Sequence, residues 1–263
     1  LELKASIEIS PEAATLNDLD LNFGPVQGSG AFTANLGDSH NYNLTLAINH
    51  LDLDRLLTGT VTDDGRDQNE IGDTARSKPA LPKLPVIPKN IRGRVVITVD
   101  GMRYRGGVIS QVQLDASVEK GILRLDRLAA LLPGGSDLLL SGNTSSQDGT
   151  PHLKGRIELA SNNLRSLLKW LNANPAQVPT GRLTNLVLTS EFAVNTTQAQ
   201  ITNMNLRLDS TAIEGAATIW LQTRPSFGLA LNIDRINLDG YLPKGGTGDA
   251  HRVQMVPEKG QQS

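Results

Sequence analysis

The four histidines are the residues of this chain best suited to metal binding or proton transfer. They stand at His40, His50, His152 and His251, far apart in the sequence. A zinc site brings three or four ligands together, often through two histidines four residues apart on one helix. No pair of these histidines has that spacing, and the chain contains no cysteine that could supply a thiolate. We therefore expect no metal site.

Two glycine-rich segments fall short of catalytic or cofactor-binding motifs. In "GGSDLLLSG", residues 134–142, Leu138 stands where a nucleophile elbow needs its last glycine. In "GSGAFTANLG", residues 28–37, Thr33 and Ala34 occupy the region of the third glycine of a dinucleotide loop, and no helix follows. The sequence therefore predicts no catalytic triad, no cofactor and no enzyme.

Carboxylate and amide side chains recur at one place in three similar segments. These segments are "LAINHLDLDRLL" at 46–57, "IELASNNLRSLL" at 157–168 and "LNIDRINLDGYL" at 231–242. Each is a strand followed by a short apolar turn, and Asp52, Asn163 and Asn237 occupy the matching position. A side-chain oxygen there would accept hydrogen bonds from the first free amides of a short helix. We interpret these segments as strands closed by short capping helices.

The elements that hold these caps are strands with one apolar face. Aliphatic residues alternate with polar ones at a period of two, which is typical of a half-buried strand. Two leucine-rich runs of this kind flank the predicted turn at Pro133-Gly134-Gly135. The residues expected on the apolar face are Leu44, Leu46, Ile48, Val95, Ile97, Val99, Val112, Leu114, Leu123, Leu125, Leu138, Leu140, Leu229, Leu231 and Ile233.

The connections between these strands favour a meandering antiparallel sheet. No helical pattern of the length that parallel crossovers need separates consecutive strands. The order of strands and caps predicts three repeats, at about 1–58, 90–172 and 180–244. Residues 59–89 are polar and then proline-rich, which is typical of a flexible linker, and residues 245–263 are predicted to form a similar polar tail.

Composition narrows the class of function. The 25 lysines and arginines against 27 aspartates and glutamates give a formal net charge of −2, so we expect no nucleic-acid partner. The lack of cysteine fits the cytosol and a bacterial periplasm equally well. No apolar stretch reaches the roughly 18 to 20 residues that span a bilayer as a helix. Because the chain begins inside a strand pattern, we expect it to be a piece of a longer protein whose membrane anchor lies elsewhere.

A family resemblance rests on the segment "GRVVITVDGMRYRGGVISQVQLDASVEKGILRLDRLAALLPGGSDLLLSGN" together with "LDLDRLL" and "NLDGYLP". These stretches resemble the AsmA family of Gram-negative envelope proteins, and the likeness covers most of residues 40–245. It consists of a pattern of strands, a Pro-Gly-Gly turn and Leu-Asp caps. The family's amino-terminal anchor helix has no counterpart in this sequence.

The resemblance implies a mainly β fold: a long curved antiparallel sheet of repeated β-groove units with short capping helices. It implies a periplasmic location, with the full-length protein anchored in the inner membrane. It also implies that phospholipid is the partner, carried along a hydrophobic groove in support of outer-membrane biogenesis. The fifteen aliphatic residues named above would then line that groove.

Two interpretations of the aliphatic face remain open from the sequence. An acyl chain of about sixteen carbons exposes methylenes that cost roughly 0.8 kcal/mol each in water, so its transfer costs on the order of 12 kcal/mol. A continuous aliphatic trough would remove that cost. The alternative is a structural or interaction module, a closed β-sandwich in which the same face is an ordinary core.

Overall fold

One sheet contains every strand of the structure. The structure, a computed structural model, describes residues 2–24, 26–37, 40–58, 89–147, 150–173, 175–221, 225–235 and 241. Thirteen strands lie side by side in chain order and form a curved sheet that does not close into a barrel. The predicted class, a mainly β protein built on a long curved sheet with short helices, is confirmed.

The strands are long and the helices are short. The first half of the sheet contains β1 (Glu2–Ile9), β2 (Ala13–Phe23), β3 (Val26–Asn35), β4 (His40–Asp52), β5 (Ile91–Tyr104), β6 (Gly107–Glu119) and β7 (Ile122–Leu132). The second half contains β8 (Ser136–Gln147), β9 (Thr150–Ser161), β10 (Leu186–Val194), β11 (Gln198–Leu208), β12 (Thr211–Trp220) and β13 (Ser226–Ile233). Helix α1 (Leu53–Thr58) follows β4, helix α2 (Leu164–Trp170) follows β9, and a single 3₁₀ turn spans Pro175–Gln177.

The expectation of an antiparallel sheet is wrong at one pair of strands. Neighbouring strands are antiparallel throughout except for β4 and β5, which are parallel. A parallel neighbour requires the chain to return to the start of β4, about 43 Å away for a strand of 13 residues at roughly 3.3 Å per residue. Residues 53–90, which connect the two strands, are numerous enough to span that distance.

Neither face of the sheet is covered by a second sheet in the described part of the chain. Six hydrophobic side chains are buried there, and two of them belong to α2 rather than to the sheet. Facing sheets would bury many more, because both inner faces contribute to such a core. The closed sandwich geometry of the alternative interpretation is therefore wrong for these residues.

Bulges interrupt several strands and preserve the apolar face. The pairing register shifts within β2, β6, β7 and β11, and Asp18, Gln111 and Asn203 adopt left-handed backbone angles at three of these points. An extra residue in a strand moves the following side chains to the other face and increases the local twist. The sequence pattern shifts by one residue at each bulge, so aliphatic side chains return to the same side.

The predicted turn and two of the predicted caps are present. Gly134 and Gly135 lie in the β7–β8 turn, with φ of 84° and 67°. The Asp52 side chain accepts a hydrogen bond from the Arg55 amide at 3.0 Å, and Asn163 accepts one from Ser166 at 3.2 Å. The third cap, at Asn237, most of the 59–89 linker and the 245–263 tail lie outside the described residues. The three predicted repeats contribute β1–β4, β5–β9 and β10–β13 to the same sheet, and the division into repeats stays a prediction.

Candidate functional site

One row of apolar residues crosses all thirteen strands. Each member is paired with the next across the sheet, so all of them project from the same side, which we call the inner face. This central apolar row consists of Ile7, Leu16, Phe32, Leu44, Val95, Ala116, Leu125, Gly142, Gly155, Phe192, Ile201, Ala217 and Leu229. With strands about 4.8 Å apart, the row is roughly 58 Å long.

The neighbouring row projects from the opposite side, the outer face, and is polar along most of its length. It consists of Glu8, Thr15, Thr33, Asn43, Arg94, Ser117, Arg124, Asn143, Lys154, Ala193, Gln200, Thr218 and Gly228. The two rows are one residue apart in every strand. Along these two rows the sheet is apolar on one side and mostly polar on the other.

One part of the inner face forms a small buried cluster. Val99 and Ile109 are 5% and 6% exposed although no second sheet covers them. Side chains of neighbouring strands pack against them, among them Leu51 of β4 and Leu132 of β7, and Trp170 of α2 does so as well.

Two glycines that are paired across β8 and β9, Gly142 and Gly155, leave no protruding side chain near the middle of the central apolar row. A methyl group on Gly155 would lie 2.5 Å from Cζ of Phe192, so the phenylalanine ring rests directly on that glycine. Gly142, the paired residue on β8, likewise leaves no side chain in the way. A larger residue at either position would form a step in the aliphatic surface.

The sequence predicts fifteen residues on the apolar face of the strands. Strand pairing places all fifteen of them on the inner face. They differ in how much surface they offer. Val99 and Val112, 5% and 9% exposed, belong to a closed cluster and leave almost no surface for a ligand. Leu229 and Leu231, 62% and 46% exposed, are open. Their role in lining a lipid groove stays a prediction.

Helix α2 closes one rim of the inner face. This helix rim is formed by the strand ends at Tyr104, Gly107, Leu132 and Ser136. The Trp170 indole lies against the buried cluster and donates a hydrogen bond from Nε1 to the Tyr104 carbonyl oxygen at 2.9 Å. Its ring meets the Tyr104 ring edge to face, with centroids 6.4 Å apart. The aromatic pair therefore caps the cluster at this rim.

Helix α2 is fixed in place by the turn that the sequence singled out. A methyl group on Gly134 would lie 2.9 Å from the Asn163 carbonyl oxygen, so this glycine allows the turn to contact the start of the helix. Just below, the buried hydroxyl of Ser136 donates to that of Ser161 at 2.7 Å. Leu167, 2% exposed, fills the space between the helix and the sheet.

Asp209 organises the connection that enters β10. Its carboxylate accepts hydrogen bonds from the amides of Leu183, Thr184 and Asn185 and from the Tyr241 hydroxyl, all between 2.9 and 3.1 Å. Partial burial acts to raise the pKa of this carboxyl, but the hydrogen bonds from Asn185, Thr184 and Tyr241 together lower it to about 2. Asp209 is therefore a structural anion at physiological pH.

The other carboxylates near the predicted caps also bind backbone amides. Asp54 accepts from Arg105 and Gly106 in the β5–β6 turn, and these hydrogen bonds, that from Gly106 foremost, lower its pKa. Asp234 accepts from the Ala212 amide at 2.9 Å, which with its bond to Arg235 lowers its pKa. Within the described ranges no three histidine or carboxylate side chains converge as a metal site would require. Asp239 lies outside those ranges.

Regular alternation in the sequence identifies only part of the inner face. Among the missed residues are Ile7, Leu16 and Phe32 in the first three strands, and Phe192, Ile201 and Ala217 in β10–β12. Bulges obscure the alternation in β2 and β11, because Leu16 and Leu19 are three residues apart yet share a face. Aliphatic residues spaced two, three and two apart, as at Leu19, Leu16 and their neighbours, are the signal that could have identified these strands.

Comparison with protein-family models, curated proteins and solved structures gave no match. The resemblance to the AsmA family therefore stays a hypothesis. Among the described residues no helix combines the length and apolarity needed to cross a bilayer.

Proposed function

We propose that this chain is a segment of an AsmA-like envelope protein whose inner face carries phospholipid between the inner and outer membranes. The observation that carries the proposal is the central apolar row, which crosses every strand without a charged or polar member. A site that recognised a small polar ligand would place fixed hydrogen-bonding groups among its apolar walls. Along the central apolar row the polar side chains lie on the neighbouring, outer-face row.

The energetics of transfer favour a surface of this kind. An acyl chain on the inner face exchanges contacts with bilayer methylenes for contacts with leucine, isoleucine, valine and alanine side chains. Exposing a sixteen-carbon chain to water costs roughly 12 kcal/mol. The exchange of contacts avoids most of this cost at every position along the row. Because no single residue holds the chain by a specific bond, successive positions have similar free energies and the lipid can slide.

The proposed location and partners follow from the family resemblance. They are the periplasm, phospholipid and the membrane, with the anchor of the full-length protein outside this segment. The reaction proposed is transport without covalent chemistry, so the proposal includes no enzyme activity and no cofactor.

An interaction module remains the second candidate. The closed cluster of Val99, Ile109 and Val112 under Trp170 favours it, because that part of the inner face is packed as an ordinary core. A partner's apolar surface could cover the open remainder. Capture of lipid at the inner face would favour transport, and capture of a protein there would favour the interaction module.

Photo-crosslinking at neighbouring residues tests the proposal. Ile97 and Leu231 lie on the inner face, and Thr98 and Asn232 are their neighbours on the outer face of the same strands. A photoreactive amino acid at Ile97 or Leu231 should capture phospholipid in bacterial cells, and the same group at Thr98 or Asn232 should not. Leu114 and Asp115 provide a further pair on β6. Equal capture from both faces, or protein in place of lipid at the inner positions, would contradict the proposal.

A further inference from the structure

Strand β13 is the last strand of the sheet in the described part of the chain. Its only described neighbour is β12, and the Asp234 amide donates to the Ala212 carbonyl oxygen at 3.1 Å. Backbone groups in a strand alternate between the two sides, so residues an odd number of positions from Asp234 direct theirs away from β12. The outward N–H and C=O groups are those of Phe227, Leu229, Leu231 and Ile233.

The residues of β13 themselves lack the charges, prolines and bulges that keep exposed strands from pairing. Proteins protect their edges with charged residues, prolines and bulges. The opposite edge, β1, has Glu2, Lys4 and Glu8 and a register shift after Lys4. Strand β13, "SFGLALNI", has no charge, no proline and no register shift against β12. Its inner-face side chains are exposed, with Phe227 at 75%.

We propose that β13 pairs with β13 of a second copy of this chain, antiparallel and about a twofold axis at Ala230. In this register Leu229 lies opposite the partner's Leu231 and Phe227 opposite the partner's Ile233. Every outward backbone group of the four residues finds a partner, giving about eight hydrogen bonds, two for each facing pair. No other register pairs all four.

The composition of the strand suits pairing with itself. The outer-face residues Ser226, Gly228, Ala230 and Asn232 are small and neutral, so no like charges meet across the axis. An axis perpendicular to the sheet keeps both inner faces on the same side. The aliphatic surface then continues from Leu229 into the second copy. An isologous contact of this kind closes at two copies, whereas addition of β13 to the β1 edge would continue into filaments.

A single introduced cysteine tests the register. The chain has no cysteine, and Ala230 forms a non-hydrogen-bonded pair with the partner's Ala230, with Cα atoms about 4.5 Å apart, within the range of a disulfide. Ala230→Cys should form a covalent dimer under mild oxidation. Ser226→Cys, on the same edge and face, should not, because it lies roughly 27 Å from the partner's Ser226 in this register. Light scattering of the unmodified chain should give twice 28.2 kDa.

Ala230→Lys provides an independent measurement. It places two like charges on the axis and should raise the dissociation constant of the dimer by roughly fivefold or more, with an unchanged circular dichroism spectrum. A monomeric mass at all concentrations would overturn the proposal. Equal crosslinking by Ala230→Cys and Ser226→Cys, or a mass that grows beyond two copies, would overturn it as well.

Discussion

Replacing Gly107 with alanine tests how the helix rim is closed. The new methyl group would lie 2.6 Å from Cδ1 and 2.7 Å from Nε1 of Trp170, and 2.8 Å from Cγ of Pro133. Gly107 does not have a left-handed backbone, so alanine is not disfavoured by its conformation. The indole ring and the proline must therefore move.

The expected loss follows from the contacts of Trp170. Overpacking by one methyl group costs about 1 to 3 kcal/mol. Displacing the indole also weakens its hydrogen bond to the Tyr104 carbonyl, worth roughly 1 kcal/mol. Because the ring can relieve the overlap by moving outward, the two costs do not add in full. We expect the free energy of unfolding to fall by about 2 kcal/mol.

Urea unfolding in a Trp220→Phe background measures this loss, because Trp170 is then the single tryptophan. Gly107→Ala should lower the urea midpoint and shift the native emission of Trp170 to longer wavelength as the indole meets water. Gly181→Ala is the matched control, since a methyl group there has no neighbour within 4 Å. If Gly107→Ala behaves like Gly181→Ala in both readouts, Trp170 does not pack against Gly107 at the helix rim.

Two further predictions concern hydrogen bonds at this end of the sheet. The Asp209 carboxyl has a pKa of about 2 in the folded chain, against an ordinary value of 3.8. This difference corresponds to about 2 kcal/mol of stability. The stabilisation is present above about pH 4 and is lost as the pH falls toward 2. Asp209→Asn should therefore destabilise the chain by about that amount at pH 7 in urea titrations, and a difference of the same size at pH 2.5 would refute the assignment. Asn163→Ala removes the α2 cap and should cost about 1 kcal/mol, whereas Asn163→Asp should retain most of the stability. An alanine variant as stable as the aspartate variant would show that the cap contributes nothing.

Regular alternation made the strands predictable wherever no bulge occurs. The runs that contain Leu44, Ile97 and Leu229 alternate at a period of two over several residues, and the structure places each on the inner face. The caps were predictable for a similar local reason. Asp52 and Asn163 provide a side-chain oxygen just before a short apolar helix, and both accept hydrogen bonds from its first turn.

Features that depend on distant parts of the chain were not predictable. The parallel pairing of β4 and β5 is formed by residues far apart in sequence, and no local pattern encodes the direction in which the chain returns. Bulges at Asp18 and Asn203 interrupt the alternation in β2 and β11, so these strands lack the regular pattern that identifies the others. The contact between Gly107 and Trp170 joins residues from β6 and α2, and composition gives no indication of it.

The most direct test of lipid transport along the inner face is to measure which face of the sheet an acyl chain touches. Because the chain has no cysteine, a fluorescent label can be attached to Leu46→Cys on the inner face or to Ala47→Cys on the outer face of β4. Phospholipid brominated on its acyl chains quenches a label that it contacts. If phospholipid binds the inner face, quenching is strong at position 46 and weak at position 47; this is the result we predict. Equal quenching at both positions, or none at either, would contradict it.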